Sequence, residues 1–233
     1  MHPILVQIGP VTIYSYGVAV AAAFLLSSLL ILRKATAFGI PQDDLWDILL
    51  LILIFGVAGA RMLHVLLNFG YYNDNLIEII MFHKGGLAIH GGIALALAAA
   101  LVAVFKKGLP AWKTGDLIIL YLPLGQAIGR IGCFFNGCCY GIGGHPAQIY
   151  SSVALLCIFV LLNVIYKRFK RFDGDILLSY FLMYCPARFG IDFLRGDLAP
   201  EIYGLTTSHI LSAAIFAAAL FIYIYKLTRI RKG

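Results

Sequence analysis

The sequence predicts an all-α polytopic membrane protein with seven transmembrane helices, its amino terminus outside and its carboxyl terminus in the cytoplasm. Three observations lead to this prediction: the composition, seven long apolar stretches, and the clustering of basic residues. Of the 233 residues, 61% are hydrophobic and 12% are charged, whereas soluble domains carry about 25% charged residues. We expect one integral membrane domain that comprises residues 1–233.

The seven apolar stretches are each close to the ~20 residues that a helix needs to cross a bilayer. The first has no basic region before it and no small-residue cleavage site, so we expect a retained helix and not a cleaved signal peptide. The expected spans are residues 11–32, 45–67, 87–105, 115–133, 150–166, 175–192 and 207–225.

The basic residues predict the orientation of these spans. Thirteen of the 18 Lys and Arg residues follow the first, third, fifth and seventh stretches, and such an excess marks the cytoplasmic side. The net charge of +7 is therefore a topology signal, and we expect no nucleic-acid partner. The thirteen are Arg33, Lys34, Lys106, Lys107, Lys113, Lys167, Arg168, Lys170, Arg171, Lys226, Arg229, Arg231 and Lys232.

Five basic residues fall on the outer side instead: Arg61, Lys84, Arg130, Arg188 and Arg195. Charges at membrane depth are costly and persist where they pair, reach the headgroups or serve a substrate. We expect Lys84 to reach the outer headgroups. We expect Arg61 to be buried between close-packed helices, because small residues precede it.

Further polar residues and glycines lie at the same outer level. The segment "KGGLAIHGG" at 84–92 places His90 among four glycines, and Tyr16 opens the first span. Irregular backbone at this depth is tolerated where it lines a polar cavity. Arginine binds phosphate oxygens in a bidentate way. Residues and topology together predict an outward-facing cavity for an anionic lipid headgroup.

An ordered set of motifs across most of the chain resembles the prolipoprotein diacylglyceryl transferase family. The motifs are "YG" at 16–17, "GVAGAR" at 56–61, "HGG" at 90–92, "GRIGCFFNGCCYG" at 129–141, "HPAQIY" at 145–150 and "RFGIDFLRGD" at 188–197. The resemblance implies a bacterial inner-membrane enzyme that moves a diacylglyceryl group from phosphatidylglycerol to the lipobox cysteine of a preprolipoprotein signal peptide, releasing glycerol phosphate. Phosphatidylglycerol, the signal peptide and membrane lipid are then its partners.

The chain also departs from the family's central motif, which reads roughly G-R-x-G-N-x-x-N-G-E-x-x-G. Cys133 replaces the first asparagine and Cys138 replaces the glutamate. The acidic residue after "HPxQxY" is Ser151, the glutamate of "RFxxEFxR" is Asp192, and the glutamine of the last helix is His209. The chain is therefore either a divergent member with the same activity or a relative with another acceptor.

The resemblance implies the catalytic roles. The leaving phosphate gains charge in the transition state, so cations on its oxygens help most, and Arg130 and Arg195 are the candidates. The alternative for Arg130 is a structural arginine that caps a helix end or pairs with Asp192. Arg188 and Arg61 are further substrate-binding candidates with a structural alternative. His90 either takes the proton of the incoming thiol or hydrogen-bonds lipid or backbone without moving a proton.

Other residues of the motifs have supporting roles or open alternatives. Asn136 either binds the glycerol hydroxyls or caps the bend in which it lies. Asp192 is spaced to neutralise Arg188 or Arg195 on one helical face. Tyr16, Tyr150 and Gly141 are expected to bind or position the headgroup, and His145 and Gln148 are expected to be structural.

Cys133, Cys138 and Cys139 leave three alternatives open. Cys133 could bridge Cys138 or Cys139 in an oxidising compartment, or one thiol could take the diacylglyceryl group first. A metal site that adds His145 has a spacing unlike common zinc patterns, so we expect neither metal nor cofactor. A lipid-binding or transport protein and a membrane thiol-redox protein are the rival functions.

Overall fold

The structure, a computed structural model, describes residues 3–8, 11–81, 85–197 and 205–232. It is mostly helical, and six of its helices are long and apolar enough to cross a membrane. These observations fit the expected multi-pass, helical membrane protein. The six helical segments are Ser15–Phe38, Gln42–Leu67, Ile89–Lys106, Ala111–Asn136, Ala147–Phe169 and Thr207–Ile230.

The described elements follow one another with short connections. Short 3₁₀ segments occupy Ala35–Phe38, Leu76–Ile80 and Ile142–Gly144, and a π-helical turn occupies Ile165–Phe169. The strands and α-helices are β1 (Ile4–Ile8), β2 (Val11–Tyr14), α1 (Ser15–Lys34), α2 (Gln42–Leu67), α3 (Phe69–Asp74), α4 (Ile89–Lys106), α5 (Ala111–Asn136), α6 (Ala147–Val164), α7 (Asp175–Asp192) and α8 (Thr207–Lys232).

The start of the first predicted span was wrong by four residues. Residues 11–14 form β2, which pairs antiparallel with β1, and the helix begins only at Ser15. The segment is Val-Thr-Ile-Tyr, and β-branched and aromatic residues favour strands. The apolar run thus comprises a strand and a helix, which hydropathy alone does not separate.

The sixth predicted span forms α7, a helix of 18 residues. It is not among the six strongly apolar helices, because Asp175, Arg188 and Asp192 lie within it. Charged side chains at membrane depth occur where they face the interior of a helical bundle or a polar cavity. The seventh span and the orientation of the termini stay predictions.

The chain divides into two compact units, residues 1–33 with 115–233 and residues 34–114. In the smaller unit, α2 and α4 approach closely at Gly59 and Gly91, where a Cβ on either residue would collide with the carbonyl oxygen of the other. The backbone N–H of Ala88 also donates to the carbonyl of Ala60 (2.9 Å). Small residues thus bring these helices together, as the sequence predicts.

In the larger unit, Asp116 fixes the start of α7. Its fully buried carboxylate accepts hydrogen bonds from the backbone N–H groups of Gly174 (2.9 Å) and Leu177 (3.0 Å). Lys170 neutralises it at 3.1 Å. A carboxylate satisfies the free N–H groups of a helix start and interacts favourably with the helix dipole, so the helix begins at this point.

Candidate active site

A narrow cleft with a volume of about 20 Å³, room for roughly one water molecule, lies among α5, α6 and α7 of the larger unit and is partly open to the surroundings. We call it the arginine cleft, because two guanidinium groups, those of Arg130 and Arg188, line it together with apolar side chains. The complete lining is Arg130, Ser151, Ala154, Leu155, Ile158, Tyr184, Ala187, Arg188 and Ile191.

Arg130 brings a positive charge to this cleft that no carboxylate of the described residues neutralises. Its side chain is half-buried in α5 and forms no hydrogen bond or ion pair with any residue that the structure describes. An arginine in such a place is costly unless it is paired or serves a ligand. The arginine cleft therefore suits an anion.

The guanidinium group of Arg188 is held on one side only. Its Nε lies 3.0 Å from Oδ2 of the buried Asp192, which also accepts a hydrogen bond from the Ser208 hydroxyl (2.6 Å). Its Nη1 is buried and has no partner among the described residues. One edge of the guanidinium is thus anchored, and one buried N–H donor is left without a partner among the described residues.

The guanidinium group of Arg195, in contrast, already binds two carboxylates, those of Asp197 and Asp192. Its Nε and Nη2 donate to the two carboxylate oxygens of Asp197 (2.9 and 2.7 Å), and its Nη1 lies 3.5 Å from Asp192. Burial alone would lower the pKa of Arg195, but the hydrogen bonds that it donates to the Asp197 carboxylate raise that pKa above its usual range. The same contact lowers the pKa of Asp197. The predicted neutralising role of Asp192 is confirmed for both Arg188 and Arg195.

The backbone of Arg195 also closes the loop that follows α5. Gly141 and Arg195 form an isolated antiparallel bridge, and the N–H of Ile142 donates to the carbonyl of Leu194 (2.8 Å). A Cβ at Gly141 would collide with the carbonyl oxygens of His145 and Leu194. Only glycine fits here, so Gly141 serves loop closure in this structure.

Cys133, Cys138 and Cys139 lie together and form what we call the thiol cluster. Their sulfur atoms all lie within 4.8 Å of one another, and all three residues are free thiols. The buried Gln148 donates from Nε2 to the carbonyl of Cys138 (2.8 Å), which gives Gln148 the structural role that the sequence predicts. The bridge from Cys133 to Cys138 or Cys139, one of the alternatives that the sequence left open, is not formed.

The Cys139 thiol is unusually acidic, and this can be tested. Its hydrogen bond with the Cys133 thiol is the largest cause, and the nearby Arg195 and Arg130 charges also lower its pKa, which falls to about 5. Because the thiolate is the nucleophile, iodoacetamide should label Cys139 at half-maximal rate near pH 5, several pH units below an ordinary cysteine. Mass spectrometry of reduced, chelator-treated protein across pH 4–9 measures this, and labelling that rises only above pH 8 would contradict it.

The remaining motif residues of the larger unit lie at the ends of helices. Tyr16 and Tyr150 are about 40% exposed (40% and 39%), in the first turns of α1 and α6. Asn136 is the exposed last residue of α5. His145 lies in the turn before α6, as expected, with its Nδ1 3.4 Å from the Tyr150 hydroxyl.

Arg61 belongs to the smaller unit, where it is buried, as predicted, and binds backbone. Its Nε donates to the Ile79 carbonyl (2.9 Å), and its Nη1 and Nη2 donate to the carbonyls of Gly85, Gly86 (3.0 Å), Glu78 and Met81 (3.4 Å). These bonds match the five N–H donors of a guanidinium. The geometry thus favours the structural alternative for Arg61 over substrate binding.

His90 is exposed in the first turn of α4, also in the smaller unit. Lys84 lies outside the described residues.

Sequence reasoning missed two features of the larger unit. Ser208, 16 residues after Asp192, completes the contacts that hold Arg188, and no local pattern connects these positions. His209 is buried between the rings of Phe189 and Phe193, and its Nδ1 accepts a hydrogen bond from the Thr206 N–H (3.1 Å). Its departure from the family's glutamine was the one available signal.

Comparison with known proteins adds independent information. A family model described as prolipoprotein diacylglyceryl transferase matches residues 3–225. Proteins named phosphatidylglycerol–prolipoprotein diacylglyceryl transferase are similar to this chain. The one from Finegoldia magna is 34% identical over 96% of this chain and 95% of its own length. The one from Limosilactobacillus reuteri is 34% identical over 97% and 91%, and that from Clostridioides difficile is 33% identical over 78% of each.

Proposed function

Because this chain belongs to the prolipoprotein diacylglyceryl transferase family, we propose that it transfers the diacylglyceryl group of phosphatidylglycerol to the cysteine thiol of a prolipoprotein. Glycerol phosphate is the second product. The family match over residues 3–225 and the relatives that cover nearly the whole chain support the activity. The arginine cleft supports an assignment of residues to its steps.

The observation that carries this assignment is the pair of incompletely satisfied guanidinium groups in one cleft. Arg130 has no partner among the described residues, and Arg188 has a buried Nη1 without one. Two cations that face one cavity favour a dianionic or monoanionic phosphate group. In the proposed complex the phosphate of phosphatidylglycerol lies between Arg130 and Arg188.

The same pair can stabilise the transition state. The acceptor sulfur forms a bond to the glycerol carbon as the bond from that carbon to the phosphate oxygen breaks, and the electron pair leaves on the phosphate. Cations that already hold the phosphate oxygens stabilise this growing charge, most strongly where water is scarce. Arg188 therefore takes the role that the sequence suggested for Arg195, since Asp197 and Asp192 already hold Arg195.

His90 remains the proposed base for the acceptor thiol, on the sequence argument alone. Tyr16, Tyr150 and Asn136 remain the proposed contacts of the headgroup and glycerol, which agrees with their exposure at helix ends. We further propose one transferase domain with seven spans, including α7, in the bacterial inner membrane. The arginine cleft then faces the outer leaflet, where both the lipid and the signal peptide are reached from within the bilayer.

Release of glycerol phosphate tests this function directly. Purified protein in phosphatidylglycerol-containing nanodiscs is mixed with a lipobox peptide, and we expect glycerol phosphate and lipidated peptide to form in equal amounts. A peptide with serine in place of the lipobox cysteine is the matched control and should release none, because the hydroxyl is a far weaker nucleophile. Bound phosphatidylglycerol without release would indicate a lipid-binding or transport protein instead.

A further inference from the structure

The thiol cluster has no role in the transfer steps described above, yet its geometry is specific. Three sulfur atoms from Cys133, Cys138 and Cys139 converge within 4.8 Å. Cys133 is buried, and the other two are partly exposed. Thiolate sulfur atoms are soft ligands that bind zinc and similar metal ions, so three of them at one point form a candidate metal site.

The helix end of α5 brings the first two thiols together. Gly137 has a left-handed backbone (φ +78°), the N–H of Cys138 donates to the Cys133 carbonyl (3.2 Å), and the N–H of Gly137 lies 3.3 Å from the Phe134 carbonyl. These contacts define a Schellman motif, in which the residue after the glycine packs against the residue five positions earlier. Cys133 and Cys138 occupy these two positions.

A strained residue adds the third thiol. Cys139 is the one non-glycine residue with positive φ (+60°) in the part of the chain that the structure describes. Such conformations are unfavourable for side chains with a Cβ and cluster at functional sites, where the surroundings hold them in place. Here Gln148 holds the Cys138 carbonyl and the Gly141–Arg195 bridge holds the chain beyond. The three thiols are therefore preorganised.

This arrangement suits a metal ion better than a disulfide. With metal–sulfur bonds of about 2.3 Å, neighbouring sulfur atoms around a tetrahedral zinc ion lie about 3.8 Å apart, within the spread of the cluster. A disulfide would use two thiols and leave the third without a role. The cluster contains no fourth Cys, His, Asp or Glu ligand from the described residues, so one coordination position stays open.

We propose that Cys133, Cys138 and Cys139 bind a zinc-type metal ion through three thiolates, and that its open position takes the thiol of the acceptor cysteine. Three protein ligands with one open position are typical of catalytic zinc sites, whereas structural sites are closed by four. The spacing along the chain did not indicate this site, because the helix end and the left-handed Cys139 create it.

The proposal rests on the proposed function, and the position of the cluster fits it. Cys133 follows Arg130 by three residues on α5, which makes them neighbours on one helix face. A thiol that coordinates such an ion loses its proton, and that proton passes to solvent or base. The sulfur then attacks the glycerol carbon, and the carbon–oxygen electron pair leaves on the phosphate held by Arg130 and Arg188. The metal ion keeps its oxidation state.

Cobalt(II) binding tests the site without reference to activity. Full-length protein in detergent is reduced with a phosphine, freed of metal and titrated with Co²⁺, and we expect a sulfur-to-cobalt charge-transfer band that saturates at one ion per chain and is removed by Zn²⁺. Cys133→Ser and Cys139→Ser should each lose most of the band, and Cys157→Ser, on the exposed α6 surface, should keep it. Circular dichroism and size-exclusion chromatography confirm that the variants fold.

No band, an equal band in Cys139→Ser, or a disulfide that survives reduction would overturn the metal site. A cysteine lipobox peptide should strengthen the charge-transfer band by about one third, as three thiolate ligands become four, and its serine counterpart should not. An unchanged band would overturn the open position. Glycerol phosphate release that proceeds at full rate in metal-free protein would overturn the role of the ion but would leave the proposed transferase function standing.

Discussion

Arg130→Gln should lower the rate of glycerol phosphate release by about 100- to 1,000-fold, the cost of removing one preorganised donor from a developing anion. The glutamine keeps part of the aliphatic stem and a hydrogen-bond donor, but it is shorter and removes the charge and the fork. Since no described residue pairs with Arg130, its loss breaks no hydrogen bond or ion pair with them, and the protein should fold as before. Release is measured in nanodiscs, and folding by thermal unfolding in detergent.

Two further variants locate the effect in the arginine cleft. Arg188→Gln should lower the rate similarly, because it removes the second donor, although it also removes one of the partners of Asp192, which keeps Arg195 and Ser208. Arg33→Gln, at the far end of α1, is the matched control and should keep the wild-type rate. Full activity of a folded Arg130→Gln protein would remove Arg130 from the mechanism.

Arg61→Gln should instead act on stability. The substitution removes most of the hydrogen bonds that join α2 to the segment before α4, and it leaves several partly buried carbonyl groups without donors. Breaking such a buried network costs about 3 kcal/mol or more. We expect a clearly lower unfolding temperature in detergent and faster proteolysis of residues 76–88 in the purified protein.

Lys106→Gln, at the exposed end of α4, is the control for Arg61→Gln and should unfold at the wild-type temperature. Binding of phosphatidylglycerol, measured as a rise in the unfolding temperature when the lipid is added, distinguishes a structural role of Arg61 from a substrate-binding role. If Arg61→Gln unfolds at the wild-type temperature but no longer binds phosphatidylglycerol, Arg61 contacts substrate and the structural assignment is wrong.

The features that could be predicted correctly from the sequence depend on residues close together along the chain. Six of the seven apolar stretches correspond to helices that are apolar enough to cross a membrane, because hydropathy over about 20 residues is a local property. The pairing of Asp192 with Arg188 and Arg195 was also correct, because a helix places residues three and four apart side by side. Close helix packing at the small residues before Arg61 was also predicted, although the structure was needed to identify α4 as the partner helix.

The roles of individual arginines needed the tertiary structure. The distribution of basic residues along the chain predicts five of them at the outer level, but it does not indicate what each charged group contacts. Asp197 lies two residues from Arg195 and binds it in a bidentate way, whereas Ser208 reaches Asp192 and Arg188 from another helix. The carbonyl groups to which Arg61 donates belong to residues 17 to 25 positions further along the chain.

The sequence by itself thus determined a multi-pass helical membrane protein and its family, because apolar length, motif order and helical spacing are readable along the chain. Only the tertiary structure decided which arginines keep free donors and that three thiols meet at one point. Which arginine donors remain free depends on the hydrogen bonds that form when the helices pack. The position of the three thiols depends on the backbone turn through Gly137 and Cys139. Packing, and not residue type, determines which charged or nucleophilic group remains available to a ligand.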